Sequence, residues 1–362
     1  MKNRSPLDAP GAPRLAWPLL LCLLGTPSLA SATEEAREPA EPTVTAPSSS
    51  APARRLLERE TVRGWIRETS AERGLDRHRV AGLFARLEPN EEVLARIRAP
   101  VERTLTWREY RPIFLGEERV AAGRAFLEEH AATFARARER FGVPPELVAA
   151  IVGVESFYGR YRGRDGVLEA LATLAFDYPP RSAFFRAELA EFLVLAETEG
   201  WNALEIQGSY AGAMGWPQFI SSSYRRYAID FDGDGRVDLF DSTADVIGSV
   251  ASYLARHGWV PGGPVASRWE PEAGHRGAVR ALVRERLEPT VEPAALRRLG
   301  FEAAEVPGEG GEQALSVMTF AGADGEEFWV GYTNFYAITR YNHSRLYALA
   351  VHQLAEALAA GS

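Results

Sequence analysis

The chain has 362 residues, of which 46% are hydrophobic and 25% are charged, a composition typical of globular proteins. Its formal net charge is −8 and its pI is about 5.5, whereas nucleic-acid-binding domains are usually basic, so we expect no nucleic-acid partner. The length allows one large domain or two to three smaller ones.

Residues 1–32 have the pattern of a secretory signal peptide. The basic residues of this segment are Lys2, Arg4 and Arg14. An apolar run follows over residues 15–24, and the small residues at 30–32 resemble a cleavage site. The run is short for a membrane span, although an uncleaved N-terminal anchor is the alternative. We therefore predict export to the periplasm.

The single cysteine, Cys22, lies within the apolar run and is preceded by two leucines. A lipoprotein cysteine needs small residues at those positions, so we expect a soluble protein without a lipid anchor. After cleavage the chain would have no cysteine, and hence no disulfide and no cysteine-ligated metal.

Residues 33–55 are rich in Pro, Ala, Ser, Thr and Glu, which predicts a disordered linker. From residue 56 to about residue 261 the pattern is mainly helical. One example is the three- and four-residue spacing of Phe185, Leu189, Phe192 and Ala196 before Gly200. The sequence therefore predicts a helical region over 56–261.

Within this region, Glu155 lies near the end of an apolar helix that begins at the prolines of residues 144–145 and ends by Gly159. It shares a face with Val148 and Ile151. Burial and the helix dipole both favour its protonated form, which a glycosidic general acid requires. A salt bridge to a neighbouring arginine (Arg160, Arg162 or Arg164) is the alternative interpretation.

Residues 208–223 form a glycine-rich segment with flat aromatic side chains and neutral hydrogen-bonding groups. Tyr210 and Trp216 offer faces on which sugar rings could stack, and Ser209 and Gln218 offer hydrogen bonds. Such groups are typical of glycan sites, but a glycine-rich loop with core aromatic residues has the same composition.

Residues 230–241 match the template of an EF-hand calcium loop. The expected ligands are Asp230, Asp232, Asp234, the carbonyl of Arg236, Asp238 and Asp241, with Gly235 at the turn position. Position 12 is Asp where the template has Glu, so bidentate contact would be poorer. We expect a structural Ca²⁺ site, with Na⁺ as the alternative cation and a cation-free acidic turn as the alternative interpretation.

Residues 262–332 contain frequent Gly and Pro, and two strands are predicted at 315–320 and 328–332, joined by a turn at 321–325. This predicts a small mixed α/β insertion. The remaining segment, 333–362, includes a helix from about residue 344 to 358 with Tyr347, Val351, Leu354 and Leu358 on one face.

Four ordered motifs make the chain resemble the B-type lytic murein transglycosylases, glycoside hydrolase family 103, from about Trp107 to the C-terminus. The motifs are residues 155–159 (ESFYG), residues 212–219 (GAMGWPQF), the acidic loop, and residues 334–342 (NFYAITRYN). The resemblance implies a mainly α (α+β) fold with a lysozyme-like catalytic core. Pro217 departs from the family pattern, in which a small residue such as glycine is expected.

The resemblance further implies that Glu155 is the single acid/base of a lytic transglycosylase, with no organic cofactor. It implies that the cleft is lined by Tyr110, Ser209, Gln218, Tyr253, Tyr341 and Asn342. The substrate would be the β-1,4 bond between N-acetylmuramic acid and N-acetylglucosamine, and the product a 1,6-anhydromuramoyl end.

The expected partners are peptidoglycan strands and, beyond them, cell-wall synthesis or remodelling proteins; we expect a monomer. A lysozyme-type hydrolase and a non-catalytic peptidoglycan-binding protein are the alternatives.

Overall fold

The computed structural model describes residues 55–99, 105–304 and 313–360, together with Pro307. The predicted signal peptide and residues 33–54 of the predicted linker lie outside the described residues. The helices are α1 (Glu60–Arg73), α2 (Arg77–Phe84), α3 (Glu91–Arg98), α4 (Trp107–Phe114), α5 (Glu117–Glu129), α6 (Ala131–Phe141), α7 (Pro145–Ser156), α8 (Val167–Asp177), α9 (Ser182–Thr198), α10 (Ser221–Tyr227), α11 (Thr243–Arg256), α12 (Arg276–Leu282), α13 (Pro293–Arg297), α14 (Thr333–Tyr341) and α15 (Arg345–Ala359). This mainly helical structure confirms the predicted fold class.

The three N-terminal helices begin and end at residues suited to those positions. Asp76 accepts hydrogen bonds from two backbone N–H groups at the start of α2, and Asn90 accepts one from Val93 at the start of α3. Gly74 adopts a left-handed conformation (φ 71°) and ends α1. Helix α3 contacts α8, so the N-terminal helices are joined to the rest of the helical core.

Helix α7 is the centre of the core, because each of its residues from Leu147 to Ser156 is buried. It packs against α5, α6, α11 and α15. The predicted apolar face of α15 is confirmed: Tyr347, Val351, Leu354 and Leu358 are all fully buried. Ser344 accepts a hydrogen bond from the Tyr347 amide at the start of α15. The C-terminal helix is thereby held directly against the helix that carries Glu155.

The strands are β1 (Asp165–Gly166), β2 (Gln207–Gly208), β3 (Ala266–Trp269), β4 (Ser316–Gly322) and β5 (Gly325–Gly331). β1 and β2 pair antiparallel, and a second antiparallel sheet has the order β3–β5–β4. The two predicted strands are present, but β5 begins three residues earlier than predicted. Its first residues are polar and pair with β4, so hydrogen bonding across the hairpin extends the strand beyond the apolar run.

The sheet β3–β5–β4 contributes to a second hydrophobic cluster, separate from the helical core. Its buried members are Trp269, Val279, Val291, Leu296, Phe301, Leu315, Val317, Phe328, Val330 and Tyr332. The other face of the sheet joins the main core through Met318, Phe320 and Trp329. The alternation of side chains along β4 and β5 thus fixes this segment to the helices.

None of the helices in the part of the chain that the structure describes combines the length and apolarity needed to cross a membrane.

Candidate active site

Glu155 is the penultimate residue of α7, and only 8% of its surface is exposed. The helix does not continue to Gly159, as the sequence suggested. It ends at Ser156, because Phe157 (φ 52°) and Tyr158 (φ 55°) both adopt the left-handed conformation. Such conformations are costly for residues other than glycine and occur where packing fixes them, often at functional sites.

Packing around α5 and α7 accounts for these two residues. The Arg119 guanidinium lies 4.7 Å from the centre of the Phe157 ring and donates to the carbonyl of Gly153. Burial lowers the pKa of Arg119 to about 10, which leaves it cationic at neutral pH. Tyr158 fills a slot at Gly153, where an added Cβ would lie 2.6 Å from its hydroxyl. The end of the helix is therefore fixed by a buried cation and a close ring contact.

The carboxylate of Glu155 accepts a hydrogen bond from the hydroxyl of Tyr347, with 2.7 Å between Oε1 and Oη. Tyr347 is fully buried on α15, and burial together with the charge of Glu155 raises its pKa well above the usual value. The phenol therefore keeps its proton and acts as a donor. Two of the arginines considered from sequence lie elsewhere, because Arg160 pairs with Glu118 and Arg162 with Asp241.

Tyr341 and Tyr253 extend this arrangement into a group of aromatic rings. The Tyr341 ring is stacked on Tyr347, with centroids 6.4 Å apart, and meets Tyr253 edge-on at 4.8 Å. Tyr341 donates to the carbonyl of Pro217 (2.7 Å) and Tyr253 to the carbonyl of Arg340 (2.5 Å). Burial, followed by the charge of Glu155, raises the pKa of Tyr341 well above its usual value, so it also remains protonated.

The glycine-rich turn contributes Ser209 and Gln218. Ser209 is fully buried, and its hydroxyl oxygen accepts from the amides of Ala211 and Ala213, so it stabilises the turn. Gln218 has φ 50°, and its Nε2 donates to the carbonyls of Gly215 (2.8 Å) and Arg162 (3.2 Å). These two acceptors orient the amide, and Oε1 is buried with no hydrogen-bond partner.

Tyr110 and Asn342 are the two remaining predicted cleft residues. Tyr110 is fully buried on α4 beside Phe114, with 5.1 Å between ring centres. Asn342 is 5% exposed at the end of α14, directly after Tyr341. The structure thus brings Glu155, Tyr341 and Tyr253 together through a hydrogen bond to Tyr347 and ring contacts. Gln218 directly follows Pro217, whose carbonyl accepts from Tyr341.

The acidic loop fits a hard cation, but the carboxylates that converge are not the predicted set. Oxygens of Asp230, Asp232 and Asp245 lie within 4.8 Å of one another. Asp230 accepts from the amides of Gly233 and Gly235, and Gly235 has φ 91°. A loop wrapped around a carboxylate in this way, with further carboxylates facing it, provides the oxygen ligands that Ca²⁺ prefers.

Asp238 and Asp241, two of the other predicted ligands, are held in other contacts. Asp241 is paired with Arg162 at 3.2 Å, and its side chain is 80% exposed. Asp234 accepts from the amide of Arg236, and Asp238 accepts from the amides that follow it. Asp245 was missed because it lies beyond the twelve-residue template, at the start of α11. Its buried carboxylate accepts from the amides of Phe231 and Asp238, which holds both ends of the loop.

Three acidic side chains in the described part of the chain are buried: Glu155, Glu188 and Asp245. Glu188 accepts from the Ser222 amide at the start of α10 (3.0 Å), and Asp245 holds the acidic loop. Glu155 is the buried carboxylate whose oxygen is held by a side-chain donor in the aromatic group. Tyr347, like Asp245, was missed as a site residue, since helical spacing presented it only as a core residue.

Known proteins with related sequences and structures show the family to which the chain belongs. Residues 58–356 match the model of the transglycosylase SLT domain. The chain is 39% identical over 274 residues to the membrane-bound lytic murein transglycosylase B of Escherichia coli K12, covering 76% of this chain and 73% of that protein.

Two solved structures are similar throughout. The soluble lytic transglycosylase SltB1 from Pseudomonas aeruginosa is 44% identical with a TM-score of 0.77, covering 83% of this chain and 99% of that one. The E. coli lytic transglycosylase Slt35 in complex with calcium is 36% identical with a TM-score of 0.72, covering 82% and 92%. The chain therefore belongs to the transglycosylase SLT family and is a lytic transglycosylase that cleaves peptidoglycan.

Proposed function

We propose that Glu155 is the single acid and base of the reaction, and that the bond cleaved is the β-1,4 linkage from N-acetylmuramic acid to N-acetylglucosamine. One observation carries this proposal. Of the three buried carboxylates in the described residues, Glu188 holds the start of α10 and Asp245 holds the acidic loop, whereas Oε1 of Glu155 accepts from the hydroxyl of Tyr347 within the group of aromatic rings.

Protonated Glu155 gives its proton to the bridging oxygen as the bond between that oxygen and C1 of the muramoyl residue breaks. The acetamido oxygen of the substrate stabilises the positive charge that develops at C1. Glu155 is now a carboxylate and takes the proton of the muramoyl 6-hydroxyl, whose oxygen bonds to C1. The products are a 1,6-anhydromuramoyl end and a free 4-hydroxyl, and no water is consumed.

Neighbouring side chains position the carboxyl group of Glu155, which transfers the proton. Tyr347 stabilises the carboxylate of Glu155 after its first proton transfer, because a hydrogen bond to an ionised group is stronger than one between neutral groups. Gln218 directs an unpaired acceptor, Oε1, which suits an N–H or O–H group of the glycan. Tyr110, Ser209, Tyr253, Tyr341 and Asn342 complete the proposed cleft.

We further propose that the acidic loop holds a structural Ca²⁺ ion through Asp230, Asp232 and Asp245. Asp234 and the carbonyl of Arg236 are the remaining predicted ligands near that group, with Asp238 and Asp241 as the predicted ligands that the structure holds in other contacts. When bound, the ion would neutralise the mutual repulsion of these carboxylates. We place the protein in the periplasm, where peptidoglycan strands are its substrate.

The assignment of Glu155 is tested by Glu155→Gln, which keeps the size of the side chain and removes the transferable proton. We expect glycan cleavage to fall by about 10²–10⁴-fold, while the denaturation midpoint stays close to that of the parent. Glu188→Gln is the matched control at the other buried glutamate, and it should retain turnover. Normal turnover by Glu155→Gln would overturn the assignment.

A lysozyme-type hydrolase would use the same substrate and the same acid but would add water to C1 and leave reducing ends. A non-catalytic binding protein would need no proton donor, and the buried contact between Glu155 and Tyr347 speaks against it.

A further inference from the structure

Arg162 joins the acidic loop to the turn that carries Gln218. Its guanidinium donates to the carbonyl of Phe240 and lies 3.2 Å from Asp241, so the side chain is anchored at the C-terminal end of the loop. Its own carbonyl accepts from Nε2 of Gln218 at 3.2 Å. A single residue therefore contacts both the C-terminal end of the acidic loop and the amide proposed to bind the glycan.

Trp216 makes a second connection between the same two segments. Its backbone amide donates to the carbonyl of Leu239 (3.0 Å), and its indole donates to the carbonyl of Phe240 (2.8 Å). An added Cβ at Gly215 would lie 2.5 Å from the carbonyl of Leu239, so turn and loop are in close contact. A displacement of residues 239–240 would therefore be transmitted to the turn.

Gln218 is sensitive to such a displacement. It has φ 50°, a conformation that persists only while its surroundings hold it, and two carbonyls orient its amide. If the backbone carbonyl of Arg162 moved out of reach, Nε2 would keep only the Gly215 carbonyl and the Gln218 side chain could rotate. The buried acceptor Oε1 would then no longer be held in one position.

We propose that Arg162 is a positioning residue that couples cation binding in the acidic loop to glycan binding at Gln218. The proposal rests on the proposed function, in which the loop binds Ca²⁺ and Gln218 contacts the substrate. Coupling between binding sites is reciprocal, so glycan should strengthen Ca²⁺ binding by the same factor by which Ca²⁺ strengthens glycan binding. The coupling can therefore be measured as a change in the Kd for Ca²⁺, without turnover of the glycan.

The test is calorimetric titration of Ca²⁺ into metal-free protein, with and without saturating chitotetraose, in the Glu155→Gln background so that no glycan is consumed. We expect chitotetraose to lower the Kd for Ca²⁺ by about fivefold or more. In Arg162→Ala, Ca²⁺ should still bind, because its ligands are unchanged, but the effect of chitotetraose should be clearly smaller than in the parent, with the contacts of Trp216 keeping part of the connection.

Two further variants make the test specific. Arg164→Ala removes the same charge from an exposed position two residues away and should keep the full effect of chitotetraose. Arg162→Lys keeps a positive charge, but its ammonium lies one bond nearer the backbone than the Nη1 atom that meets Phe240 and Asp241. It should therefore show a reduced effect, and it serves if Arg162→Ala is unstable.

An unchanged effect of chitotetraose in Arg162→Ala or Arg162→Lys would overturn the proposal. So would a Kd for Ca²⁺ that is the same in the parent with and without chitotetraose. If the parent bound no Ca²⁺ or no chitotetraose, the proposed cation site or glycan site would fail first, and the coupling would fail with it.

Discussion

Burying a carboxylate costs free energy unless a hydrogen-bond donor compensates it, and the hydroxyl of Tyr347 is such a donor for Glu155. Because the Tyr347 ring is fully buried and stacked on Tyr341, removing its hydroxyl should leave the packing intact. The loss of one hydrogen bond to an ionised group corresponds to about 1.5–3 kcal/mol. Tyr347→Phe should therefore lower kcat/KM by about 10- to 100-fold, measured on purified peptidoglycan.

The matched control is Tyr336→Phe, at a hydroxyl that lies 3.2 Å from Glu288 on the outer side of α14. It should change kcat/KM by less than about twofold. Equal activity in Tyr347→Phe and the parent would show that the contact with Glu155 does not support the reaction.

The sequence was sufficient to single out Glu155 as a candidate, because a carboxylate on an apolar helix face is rare and chemically informative. It was not sufficient for Tyr347, which is separated from Glu155 by 192 positions and shares the spacing of ordinary core residues. The positive φ of Gln218 could not be predicted from the sequence either, because nothing in its local sequence requires it. Both features depend on contacts between distant segments.

At the scale of elements, the end of α7 depends on the slot that receives Tyr158. An added Cβ at Gly153 would lie 2.6–2.9 Å from the atoms of that ring, whereas the same atom at Gly82 in α2 would meet nothing within 4 Å. Gly153→Ala should therefore lower the free energy of unfolding by about 1–3 kcal/mol, despite the better helix propensity of alanine.

Gly82→Ala is the matched helical control and should raise the free energy of unfolding by up to about 1 kcal/mol, since it gains propensity without a clash. Chemical denaturation of the two variants measures both values. A Gly153→Ala variant as stable as Gly82→Ala would show that the Tyr158 ring can move aside at little cost.

The arrangement of the acidic loop predicts which of its carboxylates Ca²⁺ binding needs. Asp245 converges with Asp230 and Asp232, whereas Asp241 is paired with Arg162. Added Ca²⁺ should raise the melting temperature of the parent and of Asp241→Asn, but should give little rise in Asp245→Asn, because a lost carboxylate weakens the cation site.

The reverse result, with the calcium response lost in Asp241→Asn and kept in Asp245→Asn, would favour the twelve-residue template over the observed geometry. The template predicted the loop from local spacing, and the glycine at position 6 has the required conformation. It could not include Asp245, because α11 brings that carboxylate back to the loop only through tertiary packing.

For the whole molecule, the mainly helical fold followed from apolar spacing in long segments, as in α9 and α15. The strand β3 was not predicted, since its four residues contain no clear alternation and are fixed by pairing with β5. The proposed limits of the insertion at 262 and 332 stay a prediction, supported by a hydrophobic cluster whose members all lie between them.

Among the described residues, the buried His352 and the half-buried His257 and His343 make stability depend on pH. Burial lowers the pKa of His257, His343 and His352 below the usual value. As the pH falls below about 6.5, the unfolded chain binds protons that the folded chain does not, so stability decreases. The melting temperature should therefore fall between pH 7.5 and pH 5.5.

His352→Gln should reduce this fall, because it removes one group whose pKa differs between the two states. His352 lies beside Glu356 (3.4 Å), which partly offsets the effect of burial. His78→Gln, at an exposed position in α2, is the control and should leave the fall unchanged. If both variants behaved like the parent, protonation of His352 would not contribute to the pH dependence.

In the proposed reaction one carboxylate, Glu155, acts first as acid and then as base, so that the sugar's own 6-hydroxyl attacks C1. Mass spectrometry of the glycan ends released from purified peptidoglycan tests this directly. The mechanism predicts 1,6-anhydromuramoyl ends, which are lighter than reducing ends by one water. Reducing muramic acid ends as the main product would contradict the mechanism and would show that water attacks instead.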